Sequence, residues 1–301
     1  MGSIIEEIAL NFGVEEKYVG RIFRTSDFYY RKVGIPKKDG TVREVFLPSP
    51  EIKAFQHYVI EKYLSKISTS PFAVGYTKGK SIIDNASPHI GNKSFLHIDI
   101  KDFFDSINFD VFKGILESYS NIIPVEYVED ILKIITYKRK FVQGCVSSPM
   151  VSNIYLFSFD NKISKLIQKL DCGIYTRYSD DITISSKKKI DVSYLKLIQE
   201  ELSQIGLSLN KRKTYFTSDL NSLRITGLNI VGSRLCVGTK YKKDIKNQIY
   251  QTLKKNYSQD VDIIIGKLMY LKAIEPNYFN RLNIKYSSKD KLLVDRLFSM
   301  K

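Results

Sequence analysis

Hydrophobic and polar positions alternate most clearly between residues 174 and 186. Ile174, Thr176, Tyr178, Ile182 and Ile184 are β-branched or aromatic, the types strands favour, and Ser179-Asp180-Asp181 interrupts them. The pattern predicts a hairpin turning at Ser179-Asp180. Period-2 alternation also marks "FLHIDI" as a strand, with Leu96, Ile98 and Ile100 facing the core and Phe95, His97 and Asp99 facing away from it. Two further strands are expected around the Asp39-Gly40 turn within residues 30–50, and another hairpin in "ITGLNIVGSRLCVG".

Helical spacing accounts for much of the remainder. Ser3 with Glu6 forms a capping box for a short first helix, and residues 15–26 suit a second. Ile52, Phe55, Val59 and Tyr63 recur on one helical face, as do Phe112, Ile115, Leu116 and Tyr119. A helix is predicted from about Pro124 to Tyr137, one long helix after the loop that begins at Val142, and one in "VSYLKLIQEELSQIGLSLN" closed by Gly206. The stretch from Thr239 is polar, Lys-rich and helical. No internal repeat, low-complexity segment or linker divides the chain, so its lobes are expected to be tightly joined.

Charge changes the picture. The 301 residues carry 47 Lys+Arg against 32 Asp+Glu, a net charge of +15, and 20 of them are Tyr while none is Trp. A basic, Tyr-rich surface suits a polyanion whose bases stack on rings. No 18-residue apolar run exists, so nucleic acid is favoured over a membrane as that polyanion. Cys145, Cys172 and Cys236 stand far apart without a C-x-x-C pair, which argues against a disulfide framework or a zinc site. All three are expected to be buried small hydrophobes in a reducing compartment. The first residues lack a basic n-region, and Glu6 stands where a myristoylation pattern needs Ser or Thr, so a cytoplasmic protein is expected.

"YSDD" poses a chemical question. Two like charges side by side repel by about 4 kcal/mol at an effective dielectric near 20. A solvated turn would screen that repulsion, and four letters alone do not exclude one. Asp99, at the end of its strand, supplies a third acid. A strand-end Asp beside a hairpin Asp pair is what two divalent cations need over a phosphoryl group, and magnesium requires few protein ligands when substrate oxygens complete its shell.

The order of the pieces is that of a known family. "FLHIDIKDFFDSI", "QGCVSSP", "YTRYSDD", "GLSLNKRKT" and "ITGLNI" follow one another as motifs A to E of reverse transcriptases do. "DNASPHI", with Asn85, Ala86 and His89, resembles the Asn-Ala-x-x-His signature of retron reverse transcriptases, and "ITGL" resembles their Val-Thr-Gly with Ile225 in place of Val. The resemblance spans about residues 20 to 240. Ser179 replaces the commoner Ala of the family box.

The resemblance implies an α+β right-hand polymerase. Residues 1–92 would form N-terminal helices and fingers, 93–237 an antiparallel-sheet palm with a fingers segment at about 117–142, and 238–301 a small helical thumb. Asp99, Asp180, Asp181 and the Ile100 carbonyl would hold two Mg²⁺, with Mn²⁺ as a possible substitute. Arg43, and less surely Lys37 or Lys38, would clamp the triphosphate. Phe104 would be the steric gate against a ribose 2′-hydroxyl, with Phe103 as rival. Gln143 and Gly144 would lie along the incoming nucleotide. Lys213 would protonate the leaving pyrophosphate, with Lys211 as rival. Asn85, His89, Thr226, Gly227, Lys240, Lys242 and Lys243 would contact RNA or primer. Asp102 and Asp105 are read as helix-start or loop acids rather than ligands.

The implied activity is RNA-directed DNA synthesis from deoxynucleoside triphosphates on a structured non-coding RNA of the msr-msd type. Priming from a ribose 2′-hydroxyl would give a branched RNA–DNA product, and a separate effector protein would join it in defence against phage. A group II intron-like or diversity-generating enzyme shares the palm, though the former usually carries larger extensions. A scaffold that chiefly binds RNA and an effector is the third reading, against which the intact acids argue.

Overall fold

The computed structural model describes residues 2–36, 40–220, 223–255, 261–287 and 291–298. Helix α1 (Ile4–Phe12) starts at Ser3, whose hydroxyl accepts from the Glu6 amide at 3.1 Å, and α2 (Glu16–Arg24) follows. Strands β1 (Tyr30–Pro36) and β2 (Val42–Pro48) pair antiparallel with Ile35 opposite Arg43. Lys37, Lys38 and Asp39 lie outside the described residues. Helix α3 (Pro50–Lys62) has Ser49 as its N-cap and Pro50 at its first position, where a missing N–H costs nothing. The short α4 (Ile82–Ala86) opens on a Ser81–Asp84 capping box.

Strand β3 (Ser94–Asp99) enters the middle of the main sheet, followed by α5 (Phe109–Ser118) and α6 (Val128–Ile135). The helix expected from Pro124 begins as a 3-10 turn over Val125–Tyr127. The single long helix expected after Val142 is two, α7 (Ser148–Tyr155) and α8 (Phe157–Ile167). The break falls at Leu156, with φ −88° and ψ 4°, and the bend keeps Val151 and Ile154 in the same core as Phe159, Ile163 and Ile167. Strands β4 (Ile174–Tyr178) and β5 (Asp181–Ser186), helix α9 (Val192–Gln204) and strand β6 (Tyr215–Thr217) complete this part. The sheet order is β4-β5-β3-β6, with every neighbouring pair antiparallel.

Where one hairpin was expected after Leu223, the chain makes a meander of β7 (Arg224–Ile225), β8 (Leu228–Val231) and β9 (Arg234–Cys236). Two tight turns make this possible. Thr226 and Gly227 both take positive φ (46° and 85°) at the first, and Gly232 takes φ 61° at the second. Helices α10 (Thr239–Lys255), α11 (Val261–Ile274), α12 (Pro276–Tyr286) and α13 (Lys291–Phe298) then pack together. None of the described helices is long and apolar enough to cross a membrane.

The buried apolar residues form two clusters. One runs from Ile4 to Leu207 and takes Leu96, Ile98 and Ile100; the other joins Ala86 and Phe95 to the meander and α10–α13. Both faces of β3 are therefore covered. The face expected to point away from the core abuts a second core through Phe95, and its Asp99 is itself buried. The cysteine expectation holds only for Cys145. Cys172 is exposed in the turn before β4, where its φ is 53°, and Cys236 is half-buried.

Candidate active site

Antiparallel pairing of β3 with β5 puts Asp99 opposite Asp181, and Asp180 occupies the turn between β4 and β5. The register is held by backbone bonds. The Ile100 amide donates to the Asp180 carbonyl at 3.0 Å, and the Asn210 amide to the Asp99 carbonyl at 2.8 Å. Ser179 takes φ 62°, a left-handed conformation that a non-glycine residue adopts at a cost. Its hydroxyl shares a 2.9 Å hydrogen bond with Tyr76 Oη, and Gly75 lies beneath it so closely that a Cβ there would come within 2.5 Å of the Ser179 nitrogen.

The electrostatics match three acids drawn together. Enclosure by the cleft walls, then the charges of Asp180 and Asp99, push the Asp181 carboxyl up to about 6, against the pull of Lys213. Lys213 Nζ donates to Asp99 Oδ2 at 2.7 Å, and this bond raises the ammonium pKa. Lys213 is mostly exposed while Asp99 is buried. Among the described residues no group of three His, Cys, Asp or Glu could hold a metal ion unaided. The acids nevertheless fit a divalent cation that also takes substrate oxygens. Their mutual repulsion calls for positive charge, and an ammonium already occupies that role on Asp99.

A cleft of about 1760 Å³ opens over these acids. Its walls bring together Arg43, Phe104, Gln143, Lys211 and Lys213 with Asp99, Ile100, Asp180 and Asp181. Phe103 and Phe104 both line it, but Phe103 is buried in the main core and Phe104 is half-buried, its ring 6.4 Å from that of Tyr76. Asp102 and Asp105 lie in the turns after β3 and also line the cleft. Gln143 accepts the Phe46 amide at 2.8 Å through its carbonyl, which fixes the loop against β2. Gly144 has φ 110°, and a Cβ there would sit 2.4 Å from the Phe46 carbonyl oxygen, so only glycine fits. From below, the fully buried Gln56 accepts the Val146 amide at 2.9 Å.

The remaining predicted residues lie elsewhere. Asn85 and His89 are buried behind the sheet and do not line the cleft. His89 bonds Ser185 Oγ at 2.7 Å and Thr176 Oγ1 at 2.9 Å, so it exposes no ring atom with which to touch RNA; whatever it does for RNA is indirect. Asn85 Nδ2 donates to Thr226 Oγ1 at 3.5 Å, and its Oδ1 is buried without a partner. Lys240 and Lys243 are exposed on α10, but Lys242 pairs with Glu275 at 2.7 Å and lies over the Tyr278 ring, which diverts its charge from a ligand. Sequence reasoning passed over Tyr76 and Arg177. Neither carries a local signal: Tyr76 falls between the predicted elements, and Arg177 in "YTRYSDD" fits a strand.

The sequence profile described as "Reverse transcriptase (RNA-dependent DNA polymerase)" matches residues 35–230. The chain is 33% identical over 271 residues to the retron Ec86 reverse transcriptase of Escherichia coli, covering 88% of this chain and 82% of that protein. To the retron Mx65 reverse transcriptase of Myxococcus xanthus it is 28% identical over 279 residues, 84% of this chain and 63% of that one. A solved telomerase from Candida albicans, in complex with a fragment of telomeric RNA, superposes with a TM-score of 0.47 at 12% identity, covering 90% of this chain and 61% of the other.

Proposed function

This chain belongs to the reverse transcriptase family as a retron-type RNA-directed DNA polymerase, and we propose that its template and primer are one structured non-coding RNA. In this reading a 2′-hydroxyl of that RNA starts synthesis, the product is single-stranded DNA joined to RNA through a branch, and the complex works with a separate effector against phage. The reading rests on its retron relatives and on the basic charge of +15.

The reaction joins a primer hydroxyl oxygen to the α-phosphorus of a deoxynucleoside triphosphate and breaks the bond to pyrophosphate. Two divalent cations, Mg²⁺ in this proposal, would acidify the primer hydroxyl, so that its proton passes to water, and would stabilise charge on the phosphoryl oxygens. Asp99, Asp180, Asp181 and the Ile100 carbonyl would hold them. Arg43 contributes an exposed guanidinium on the cleft wall to the triphosphate. Gln143 and Gly144 present backbone to the nucleotide, and Phe104 closes the space beside the ribose. Lys213 gives its proton to the departing pyrophosphate once Asp99 is engaged elsewhere and the ammonium is released.

The observation that carries this assignment is the Asp99–Asp181 pairing across β3 and β5, with Asp180 in the adjoining turn at the base of the cleft. Asp180→Asn and Asp181→Asn should each abolish primer extension in Mg²⁺ while leaving folding and RNA affinity near wild type. Folding survives because the Asp181 charge is disfavoured in the folded state, as its raised pKa records. A variant that extends primers at the wild-type rate would overturn the assignment. Sequencing the nucleic acid that co-purifies with the protein tests the RNA half separately.

A further inference from the structure

We propose that Arg177, wholly buried in β4, is the positioning residue of the catalytic turn; this rests on the polymerase reading of Asp180 and Asp181. Its guanidinium has a partner on each edge. Nε and Nη2 donate to Asp160 Oδ1 and Oδ2 of α8 at 2.9 and 2.7 Å, Nη2 also reaches Asn153 Oδ1 of α7 at 3.1 Å, and Nη1 donates to the Ser179 carbonyl at 3.1 Å. Asp160 and Arg177 are both inaccessible to solvent. Tyr175 adds a 2.6 Å bond to Asp160 Oδ1.

The same residue organises the other side of the turn. The Arg177 carbonyl accepts from the Val74 and Gly75 amides at 2.8 and 3.3 Å, and Asn153 Nδ2 donates to the Gly75 carbonyl at 3.0 Å. These bonds seat Gly75 under the Ser179 nitrogen and bring Tyr76 to its hydroxyl. Ser179 is thus held at its carbonyl and its side chain, with Gly75 packed against its nitrogen. That is how a non-glycine residue is kept at φ 62°, and its conformation sets where Asp180 points relative to Asp99.

Stability alone does not explain the choice of residues. A buried ion pair loses in desolvation about what it gains in attraction, and apolar side chains of similar volume often serve as well. What apolar residues cannot do is bond a backbone carbonyl beside the acids. Lysine cannot either, while engaging a carboxylate with two bonds; the planar five-donor guanidinium does both from one position.

The test compares Arg177→Lys with wild type on an annealed template-primer. The Lys variant should fold and bind RNA as wild type does, with the nucleotide KM within about two-fold, while kcat falls by about ten-fold or more. Hydrogen exchange at the amides of residues 178–181 should quicken while exchange in β3 and α8 stays unchanged, a readout that does not depend on catalysis. A folded Lys variant with wild-type kcat and exchange overturns the proposal. If that variant does not fold, the triple replacement Arg177→Met, Asp160→Leu, Tyr175→Phe removes the network without leaving a buried charge, and the same fall in kcat is expected. Should that variant also fail to fold, or fold with wild-type kcat, Arg177 is a scaffold residue and the proposal falls. Asp180→Asn in the same assay separates the two claims. If it is active, the polymerase reading itself is wrong; if it is inactive beside a fully active Arg177→Lys, only the positioning role is lost.

Discussion

Lys213 Nζ sits 2.7 Å from Asp99 Oδ2, so the carboxylate expected to take a divalent cation is bonded to the ammonium expected to protonate the leaving group. The two roles compete for one pair. Lys213→Ala should let Mg²⁺ act at lower concentration, because a rival cation has gone, yet slow the chemical step by about a hundred-fold, the usual scale of a lost general acid. Lys211 lines the same cleft. Lys211→Ala should cost less rate than Lys213→Ala in single-turnover extension, and the reverse order would move the proton donor to Lys211.

Phe103 and Phe104 separate by burial. Phe104→Ala should raise ribonucleotide incorporation relative to deoxynucleotide with little loss of stability, since the ring is half-buried at the cleft wall beside Tyr76. Phe103→Ala should instead cost about 3–5 kcal/mol in denaturant melts, because its ring fills the main core. Unchanged sugar discrimination in a folded Phe104→Ala would remove the gate from this position.

Acid should unfold the protein partly through two histidines. Burial, then the charge of His97, pushes His89 down to about 3, and burial pushes His97 down to about 4. Both are neutral in the fold, whereas the unfolded chain binds a proton at each near pH 6.5. Below about pH 6.5 the unfolded state therefore holds more protons, and stability falls as pH drops, by up to about 1.4 kcal/mol per pH unit for each group. Above that pH the two contribute no slope. Urea midpoints at pH 7.5, 6 and 5 should show the decline, and His97→Asn should flatten it; a slope unaltered in that variant would assign the acid sensitivity to other groups.

The part of the site legible in the sequence was the part written in local pattern. Asp99 ends an alternating strand and Ser179-Asp180 breaks another, so both acids were placed without tertiary information. Arg177 was not legible, because an arginine inside an alternating strand reads as solvent-facing. Its burial depends on Asp160 of α8 and Asn153 of α7, partners no local rule supplies. The second face of β3 was missed for a related reason. Alternation reports two faces but not that a separate core, reached through Phe95, covers the polar one. The meander after Leu223 was shortened to a hairpin because Thr226 gives no local sign of a positive φ.

The two segments that carry the retron resemblance meet. Asn85 and Thr226 lie 141 positions apart, yet Asn85 Nδ2 donates to Thr226 Oγ1, which in turn donates to the Ile82 carbonyl at 3.4 Å. At 3.5 Å the first bond is long, and Asn85 Oδ1 has no partner, so the contact adds little to stability. Asn85→Ala should shift stability by no more than about 1 kcal/mol. His89 differs, because its loss removes two buried bonds and leaves Ser185 Oγ only Asn92 Nδ2 at 2.8 Å and Thr176 Oγ1 only the Asn85 carbonyl at 3.4 Å; His89→Ala should cost about 1–3 kcal/mol and blur any functional readout. Asn85→Ala combined with Thr226→Val is therefore the cleaner probe of RNA choice. It should slow extension on the RNA that co-purifies with the protein by about ten-fold relative to extension on a generic annealed template-primer. A ratio that does not move would make the Asn85–Thr226 contact a packing detail. Exposed basic residues such as Lys240 and Lys243 on α10 would not supply the discrimination in its place, because their charge attracts any phosphate backbone and by itself prefers no sequence.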